Sequence, residues 1–412
     1  MYREISGCRI CEERRLDLLL ELGRQSLTGV FPKRADQPLT AGPLTLVRCA
    51  GCGLVQLSHS YDRSELYGTH YGYRSSLNAM MTNHLSAKAA AMMQRARLAP
   101  GDTVVDIGSN DGTFLSFFSG RGLRLVGFDP SGARWRERYP ADSELMADFF
   151  SGEAFRALVG AAKARLITSI AMFYDLERPL EFMGEVAAIL ADDGLWHLEQ
   201  SYLPAMLSVN AYDTVCHEHL EYYALKQIAW MAERTGLAIL DVELNDVNGG
   251  SFAVTLGRRT TGAQPGDAVV ERLLGEETRA GLDTLAPFRR FREAVLAHRR
   301  ALRSMLDSIR TAGHTVLGYG ASTKGNVILQ YAGISRDVIP AIAEINEDKF
   351  GCFTPGTGIP IISEPDARAM KPDYFLVLPW HFRRGVMERE AEFLRSGGRL
   401  IFPLPRIEVV SA

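Results

Sequence analysis

Residues 212–223 combine two histidines, three carboxylates, one cysteine and three tyrosines. They follow residues 195–200, Leu-Trp-His-Leu-Glu-Gln, a run that predicts a buried strand ending in polar groups. Open α/β folds bind their ligands at the carboxyl ends of such strands. We therefore predict an acid–base centre here, with His217, Glu218 and His219 as candidate catalytic residues.

The two histidines of this centre are separated by a single residue. His217 and His219 share a face if the chain is extended and diverge if it is helical. In both cases we expect one of them to pack or orient rather than react. The spacing is not the His-Glu-x-x-His pattern of zinc hydrolases, so no catalytic zinc is expected.

Residues 103–114 predict a strand, a glycine turn and the start of a helix, with Asp106, Gly108, Asn110 and Gly112 in the turn region. The next strand, residues 125–130, ends at Asp129 and Pro130. Glycines let a cofactor approach the backbone, and an acid after the second strand accepts hydrogen bonds from a ribose diol. The pattern Asp-x-Gly-x-Asn-x-Gly differs from the dinucleotide fingerprint and predicts an S-adenosylmethionine site.

Further features complete this predicted cofactor domain. Asp148, Phe149 and Phe150 stand where an acid and an aromatic ring contact adenine in such folds, although core packing is the alternative for Phe149. Alternation and apolar runs predict strands at 166–177, 237–244 and 251–256 and helices at 181–190 and 225–235. The expected fold class is α/β, with a Rossmann-like sheet of about seven strands.

Two Cys-x-x-Cys pairs lie near the N-terminus, Cys8 with Cys11 and Cys49 with Cys52. Four thiolates in two tight turns are the usual ligands of a structural zinc ion. Two unrelated pairs, or a redox pair, are the alternatives. A four-thiolate site leaves no position open for a substrate, so we assign the expected Zn²⁺ a structural role.

Residues 61–84 are rich in tyrosine and include Tyr71 and Tyr73. They are consistent with a linker that packs on the following domain and equally with a lid over an active site. Residues 257–311 show helical periodicity, which we expect to break at Pro287, and predict a helical connector.

Residues 314–326 begin a second strand, glycine loop and helix, containing Gly320, Ala321, Ser322, Lys324 and Asn326. The next predicted strand is followed by Glu344 and Asn346. A helix N-terminus with Gly, Ser and Lys suits a phosphate, but the order of residues is not that of a P-loop. We predict a second nucleotide-like ligand here, with NAD binding or a non-binding fold as alternatives.

Composition limits the classes of function. The chain has 412 residues, 46 basic and 49 acidic side chains, and a net charge of −3, so we expect neither nucleic acid nor a membrane as partner. No signal-peptide hydrophobic region precedes Cys8, and we expect a cytoplasmic protein that is a monomer or a weak dimer. We expect three domains: 1–75 with zinc and the tyrosine-rich lid, 76–258 with the cofactor, and 259–412 with the connector and the second α/β fold.

Taken in order, the zinc knuckles, the His-Glu-His centre and Gly-Tyr-Gly-Ala-Ser-x-Lys-Gly-Asn resemble the sugar C-methyltransferases of deoxysugar biosynthesis. The resemblance spans nearly the whole chain. It implies methylation of the carbon beside the ketone of a nucleotide-linked ketosugar, with the C-terminal domain contributing to nucleotide binding. By this resemblance His219 is the base and Glu218 its partner, and Tyr71 and Tyr73 line the substrate or the methyl donor. It also implies roles for two sets in the C-terminal domain: Gly320, Ala321, Ser322 and Lys324 at the diphosphate, and Glu344 or Asn346 at the nucleoside.

Two positions depart from the pattern of the best-known family members. Cys216 stands where they carry a tyrosine directly before His-Glu-His, and Asp175 stands where they carry a histidine. Tyr174 and Tyr212 are the nearby phenols. Because these positions belong to the acid–base groups, methyl transfer to oxygen or nitrogen of a nucleotide-linked sugar is the alternative function. A nucleotide-binding scaffold is a third interpretation, which the dense acid–base cluster disfavours. The sequence does not distinguish dTDP, GDP, CDP and UDP.

Overall fold

The structure is a computed structural model that describes residues 1–67, 73–259 and 267–412. These residues form nineteen strands and thirteen α-helices. The strands are β1 (Tyr2–Glu4), β2 (Leu16–Ser26), β3 (Ala41–Cys49), β4 (Val55–Leu57), β5 (His59–Tyr61), β6 (Thr103–Ile107), β7 (Arg124–Phe128), β8 (Ser143–Met146), β9 (Ala164–Ile170), β10 (Leu190–Ser201), β11 (Glu221–Tyr222), β12 (Leu237–Asn245), β13 (Ser251–Arg258), β14 (Val316–Tyr319), β15 (Ile342–Glu344), β16 (Ile361–Ser363), β17 (Tyr374–Val377), β18 (Arg399–Phe402) and β19 (Glu408–Val410). The helices are α1 (Arg63–Leu66), α2 (Ala79–Arg95), α3 (Thr113–Ser116), α4 (Gly152–Val159), α5 (Pro179–Ile189), α6 (Leu203–Ser208), α7 (Leu225–Arg234), α8 (Asp267–Arg279), α9 (Ala286–Thr311), α10 (Thr323–Ala332), α11 (Glu364–Ala369), α12 (Arg383–Arg389) and α13 (Ala391–Arg395).

The central sheet has seven strands in the order β12-β13-β10-β9-β6-β7-β8. All its pairings are parallel except those of β13, which is antiparallel to both β10 and β12. The parallel strands are apolar on both faces because helices cover both sides; β6 is buried at every position. The strand order reverses at β6, so β6 and β9 flank the crevice where open α/β sheets bind ligands.

The C-terminal sheet has six strands in the order β16-β15-β14-β17-β18-β19, all parallel except β19. Its order also reverses, at β14, whose four residues are all buried. The two α/β sheets are joined by α8 and α9. Pro287 lies in the first turn of α9, where its missing N–H costs nothing, so it begins this helix rather than interrupting one.

The N-terminal region has a four-stranded sheet in the order β11-β4-β3-β2. Its edge strand, β11, comes from the His-Glu-His segment, and Glu221 pairs with Gln56 in the antiparallel ladder. The predicted helix at 225–235 is confirmed by α7, and the short strand β11 before it was not predicted. The predicted domain bounds stay predictions, but this pairing shows that the N-terminal sheet is completed by residues far along the chain.

Arg9 joins the N-terminal sheet to β11. Its guanidinium donates to the carbonyl oxygens of Leu57 and His59 and to Ser60 Oγ, and its Nε lies 3.4 Å from Glu221 Oε1. Both side chains of this pair are at most 3% exposed. Burying the Arg9 guanidinium without partners would be unfavourable. These hydrogen bonds and the nearby Glu221 carboxyl compensate for its burial and hold it in place.

None of the described helices is both long enough and apolar enough to span a bilayer.

We predict that Arg9→Met lowers the free energy of unfolding by about 3 kcal/mol or more, because it leaves buried acceptors and Glu221 without their partner. The measurement is chemical denaturation followed by tryptophan fluorescence and circular dichroism. Arg272→Met is the matched control: Arg272 forms an exposed helix pair with Glu276, which is expected to contribute at most about 1 kcal/mol. Equal effects of the two substitutions would contradict the role given to Arg9.

Candidate active site and zinc site

The carboxyl ends of the parallel strands in both α/β sheets line one cavity of about 980 Å³. Residues after β6, β7, β9 and β10 form one side, and residues after β14 and β15 form the other. The volume is at the upper end of the range for small-molecule sites, which leaves room for a methyl donor and an acceptor together.

The glycine turn after β6 forms the cofactor side of this cavity. Gly108 has φ +81°, and a Cβ there would lie 3.0 Å from the Met172 side chain, so only glycine fits without strain. Asp129, after β7, accepts hydrogen bonds from the backbone N–H of Asn110 at 2.8 Å and of Ser131 at 2.7 Å. The carboxylate therefore fixes the turn, and its remaining lone pairs are available to a ribose diol.

The other predicted cofactor residues divide into two groups. Asp106, Gly108, Asn110, Asp129, Pro130, Asp148, Phe149 and Phe150 line the cavity. Gly112 does not line it: it begins α3 with φ +75°, and the Tyr139 ring lies 2.9 Å from the position of a Cβ. Its role in this structure is to permit the turn and the packing of Tyr139.

The two phenylalanines differ in their surroundings. Phe150 packs edge-on against Phe128 and Phe182, as a core residue does. Phe149 is half-buried, with the Arg63 guanidinium 4.2 Å from its ring centre. Phe149 is therefore the ring with a face available at the cavity, and the core-packing alternative describes Phe150 better.

Glycine, carboxylate and aromatic groups at the switch point of the sheet are the chemical set that fits S-adenosylmethionine. Burial raises the pKa of Asp106 to about 7, against the lowering effect of a hydrogen bond from Thr168 Oγ1 at 2.7 Å. Buried Gln200 also lines the cavity, and its side-chain amide has no hydrogen-bond partner among the described residues. A polar ligand in this part of the cavity would provide those partners.

His219 is the histidine of the centre that faces the cavity. Its Nδ1 lies 2.8 Å from the Thr214 carbonyl oxygen, which can only accept a hydrogen bond, so Nδ1 carries the proton. Nε2 is therefore the unprotonated nitrogen, with its lone pair available. The Tyr174 ring packs against the imidazole with ring centres 4.2 Å apart. Burial, together with the nearby Lys324 ammonium, lowers the pKa of His219 to about 3.

His217 points the other way, into the N-terminal region. It is fully buried, its ring centre lies 4.6 Å from that of Tyr61, and Nδ1 lies 3.4 Å from Thr28 Oγ1. Burial lowers the pKa of His217 to about 3. Because it does not line the cavity, the structure gives it a packing role and not the catalytic contact considered from the sequence.

Two carboxyl groups lie beside His219. Glu218 lines the cavity and accepts a hydrogen bond from Thr28 Oγ1 at 3.1 Å, while its other oxygen has no partner among the described residues. Asp175 also lines the cavity, and one of its oxygens is likewise without a partner in the described part of the chain. Burial raises the pKa of both carboxyls, so each holds a proton more readily than an exposed acid.

The predicted tyrosines are placed differently from one another. Tyr174 is largely buried against His219, whereas Tyr73 is 46% exposed at the cavity wall. Tyr71 lies outside the described residues. The Asn110 side chain holds the segment beside Tyr73: it donates to the Tyr73 carbonyl oxygen and accepts from the Ser75 backbone N–H at 2.9 Å. This segment therefore rests on the cofactor turn.

The glycine loop after β14 supplies the opposite wall. Gly320 has φ +78°, and a Cβ there would lie 2.7 Å from Pro379. Ser322 Oγ accepts from the Gly325 N–H and caps α10. Ala321 N–H donates to Glu344 Oε2 at 2.8 Å, so this amide already has an acceptor.

The acid and amide predicted at the nucleoside brace the loops. The second oxygen of Glu344 accepts from the backbone N–H groups of Ile345 and Asn346, and Asn346 Oδ1 accepts from Asp348 N–H. Both residues line the cavity. Asn326 does not: it is fully buried and donates to the Thr28 carbonyl oxygen at 2.7 Å, which ties α10 to the N-terminal region.

Gln200 and His381 are cavity residues for which no site role was predicted. His381 follows β17 and lines the cavity, and its buried Nδ1 has no partner within the described residues. Gln200 lies near the end of β10 and His381 follows β17, so a position at the carboxyl end of a strand was the signal that could have identified them.

The four N-terminal cysteines form a single cluster. The sulfur atoms of Cys8, Cys11, Cys49 and Cys52 all lie within 4.8 Å of one another. Tetrahedral zinc with Zn–S bonds of about 2.3 Å requires sulfur atoms about 3.8 Å apart, so this donor set fits the ion. The cluster would hold the turns before β2 and after β3, and its four thiolates fill the coordination shell.

An α/β sheet with a cofactor turn at its switch point, together with a four-cysteine cluster, defines a zinc-containing S-adenosylmethionine-dependent methyltransferase. Three family models match the chain: a zinc binding domain at residues 8–67, a methyltransferase domain at 81–242, and the C-methyltransferase C-terminal domain at 246–405. The C-methyltransferase NovU of Streptomyces niveus is 32% identical over 415 residues, covering 100% of this chain and 98% of the relative. The chain belongs to this C-methyltransferase family. This confirms the resemblance, the α/β fold class, the methyl donor and the zinc.

Solved structures similar to part of the chain include two methyltransferases. Magnesium protoporphyrin IX methyltransferase of Synechocystis PCC 6803 with bound S-adenosylmethionine is 13% identical, covers 43% of this chain and 79% of its own, and has a TM-score of 0.32. The plantazolicin methyltransferase BpumL with S-adenosylhomocysteine is 13% identical, covers 43% of this chain and 84% of its own, and has a TM-score of 0.35.

We predict one zinc ion per chain, lost on substitution of Cys11 by serine. Elemental analysis of the purified protein measures it. Cys352→Ser is the matched control, because Cys352 is a free thiol buried in the C-terminal region and lies outside the cluster. Loss of zinc from both variants, or from neither, would contradict the assignment.

Proposed function

We propose that the protein methylates the carbon beside the ketone of a nucleotide-linked ketosugar and that His219 is the base. The observation that carries this proposal is the hydrogen bond from His219 Nδ1 to the Thr214 carbonyl oxygen, which leaves Nε2 as a proton acceptor at the cavity. Family membership and the 32% identity to a C-methyltransferase support carbon as the acceptor. The second glycine loop on the opposite wall supports a nucleotide-linked substrate.

A C–H bond beside a ketone is weakly acidic, so its removal needs a correctly placed base and stabilisation of the enolate oxygen. Because burial and the Lys324 charge lower the pKa of His219 to about 3, its imidazole is neutral across the physiological range, and the proton transfer depends on the negative charge that develops on the substrate beside it. The electron pair of the C–H bond then becomes part of an enolate. When bound, S-adenosylmethionine supplies an electrophilic methyl group, and the positive charge of its sulfonium sulfur is lost on transfer.

The remaining residues orient the substrate and limit access of water. Glu218 and Asp175, with raised pKa values, can donate hydrogen bonds to sugar oxygens. Residues 73–75 lie over the cofactor turn through Asn110 and narrow that side of the cavity. Excluding water strengthens the electrostatic interactions at the reacting carbon.

The direct test is incubation with methyl-labelled S-adenosylmethionine and a panel of nucleotide ketosugars, followed by product mass and carbon-13 NMR. We expect the labelled methyl to be coupled to a ring carbon next to the original ketone. A label bonded to oxygen or nitrogen would replace carbon methylation by the alternative function. Absence of transfer to any sugar nucleotide, with both ligands bound, would favour a scaffold.

We predict opposite phenotypes for the two histidines. His219→Ala should lower kcat by about 10³-fold or more while leaving S-adenosylhomocysteine affinity unchanged, because it removes the general base. His217→Ala should lower the melting temperature and retain most of kcat, because His217 packs against Tyr61 outside the cavity. Steady-state kinetics, calorimetry and scanning calorimetry provide these values. Retained turnover in His219→Ala would exclude its role as base.

A further inference from the structure

Formation of an enolate requires a donor for the oxygen as well as a base for the proton. The cavity is lined by six Lys and Arg side chains in the described part of the chain: Arg63, Arg74, Arg178, Lys324, Lys349 and Arg389. Several of these already have partners. Lys349 donates to the Ala321 carbonyl oxygen at 2.7 Å, Arg389 pairs with Glu364, and Arg63 stacks on Phe149.

Lys324 differs from these cations in where it points. It begins in the first turn of α10, in the C-terminal sheet region, yet its Nζ crosses the cavity and donates to the Asn248 carbonyl oxygen of the central domain at 2.9 Å. An ammonium group has three protons, and this is the single hydrogen bond that the described residues give it. Two donors therefore remain for a ligand.

The surroundings of Lys324 place it at the acid–base centre. Helix α10 packs against the turn Tyr212–Thr214. This turn holds Asp213, a buried acid that accepts a hydrogen bond from Trp380 Nε1 at 2.7 Å and interacts with the Lys324 charge. The next residue, Thr214, holds His219 through its carbonyl oxygen. Of the described cations, Lys324 is the one whose charge acts on His219.

We infer that the Lys324 ammonium stabilises the enolate oxygen of the substrate, rather than binding the diphosphate as the sequence suggested. This assignment rests on the proposed function. His219 Nε2 takes the α-proton, the C–H electron pair forms the carbon–carbon double bond, and the carbonyl π pair moves to oxygen. Lys324 hydrogen-bonds that oxygen without losing its proton. When the double-bond pair forms the new bond to the methyl carbon, the oxygen pair returns to the carbonyl, the pair of the broken methyl–sulfur bond would remain on sulfur, and His219 then releases its proton to solvent.

The electrostatics of the free and reacting states agree with this arrangement. In the free protein burial, together with the nearby ammonium, lowers the pKa of His219 and keeps its imidazole neutral. When the enolate forms, its negative oxygen attracts both the ammonium and the new imidazolium and offsets the repulsion between them. The interaction is therefore much stronger in the transition state than with the neutral ketone, which is the condition for catalysis.

The other groups considered for the oxygen are less suitable. Cys216 is fully buried and does not line the cavity, so its thiol provides no donor there. Asp213 accepts from Trp380 through Oδ2 and does not line the cavity. Lys324 is the remaining positive donor beside His219 in the described structure.

The test separates enolate formation from methyl transfer. The protein is loaded with S-adenosylhomocysteine, which has no methyl to give, and the ketosugar identified by product analysis is incubated in deuterium oxide. NMR follows replacement of the α-proton by deuterium. We expect Lys324→Met to slow this exchange and kcat by about 10²- to 10³-fold, the effect of losing one oxyanion donor. Lys324→Arg should retain part of the rate, because it retains a positive donor.

Binding distinguishes the two roles of Lys324. If the ammonium stabilises the enolate, Lys324→Met binds the nucleoside diphosphate and a nucleotide sugar without a ketone as the wild type does. If it binds the diphosphate, both affinities fall and exchange at saturating substrate is unchanged, which would overturn the inference. Lys226→Met, at an exposed lysine paired with Asp283, is the control for a lost surface charge.

The outcomes also distinguish this inference from the proposed function. Wild-type protein that neither exchanges the α-proton nor methylates carbon would contradict the proposed function itself. Wild-type exchange that persists undiminished in Lys324→Met, and is lost in His219→Ala, would retain the proposed function and exclude the role of Lys324.

Discussion

The N-terminal sheet and the cavity both depend on residues 212–223, which belong to two structural units at once. β11 completes the N-terminal sheet by pairing with β4, and Arg9 fixes this pairing from the turn between two zinc ligands. Within the same segment, His219 faces the cavity and His217 packs in the N-terminal region. The N-terminal region is therefore part of what orients the proposed catalytic residue His219, and the four-cysteine cluster itself does not line the cavity.

A turn at His217 and Glu218, closed by a hydrogen bond from the His219 N–H to the Cys216 carbonyl oxygen at 3.2 Å, explains why adjacent polar residues have such different roles. The turn at Thr214 directs His219 toward the cavity through a carbonyl oxygen, and Tyr61 fills the space against His217. Burial keeps both histidines neutral, but one of them alone has a lone pair exposed to a ligand. The role of each histidine therefore depends on what lies on its side of residues 216–221. His219 faces the cavity, and His217 faces Tyr61, which comes from a distant part of the chain.

That dependence on distant neighbours marks the limit of the sequence analysis. Some features carry local signals because each needs a particular residue at a fixed spacing: the cysteine pairs, the cofactor turn at Gly108 and the acids at strand ends. The turn and the acids line the cavity, and the cysteines form their own cluster. Gly112 and Asn326 have the same local signals but pack against Tyr139 and Thr28. The pairing of β11 with β4 has a sequence separation of more than 150 residues and leaves no periodic pattern, so it was not predicted.

Lys324 is a second case in which local sequence alone does not predict the position of a side chain. Its position in a glycine loop at a helix N-terminus indicates phosphate when the loop is considered alone. The opposing sheet changes that interpretation, because the Asn248 carbonyl oxygen and the buried Asp213 attract the ammonium away from the loop and toward His219. In the proposed mechanism, a cation from one α/β sheet region and a base from the other act on the same substrate, because both side chains line the cavity. Enolate formation would then require the nucleotide-binding domain in place, which links recognition of the nucleotide to proton removal at the sugar.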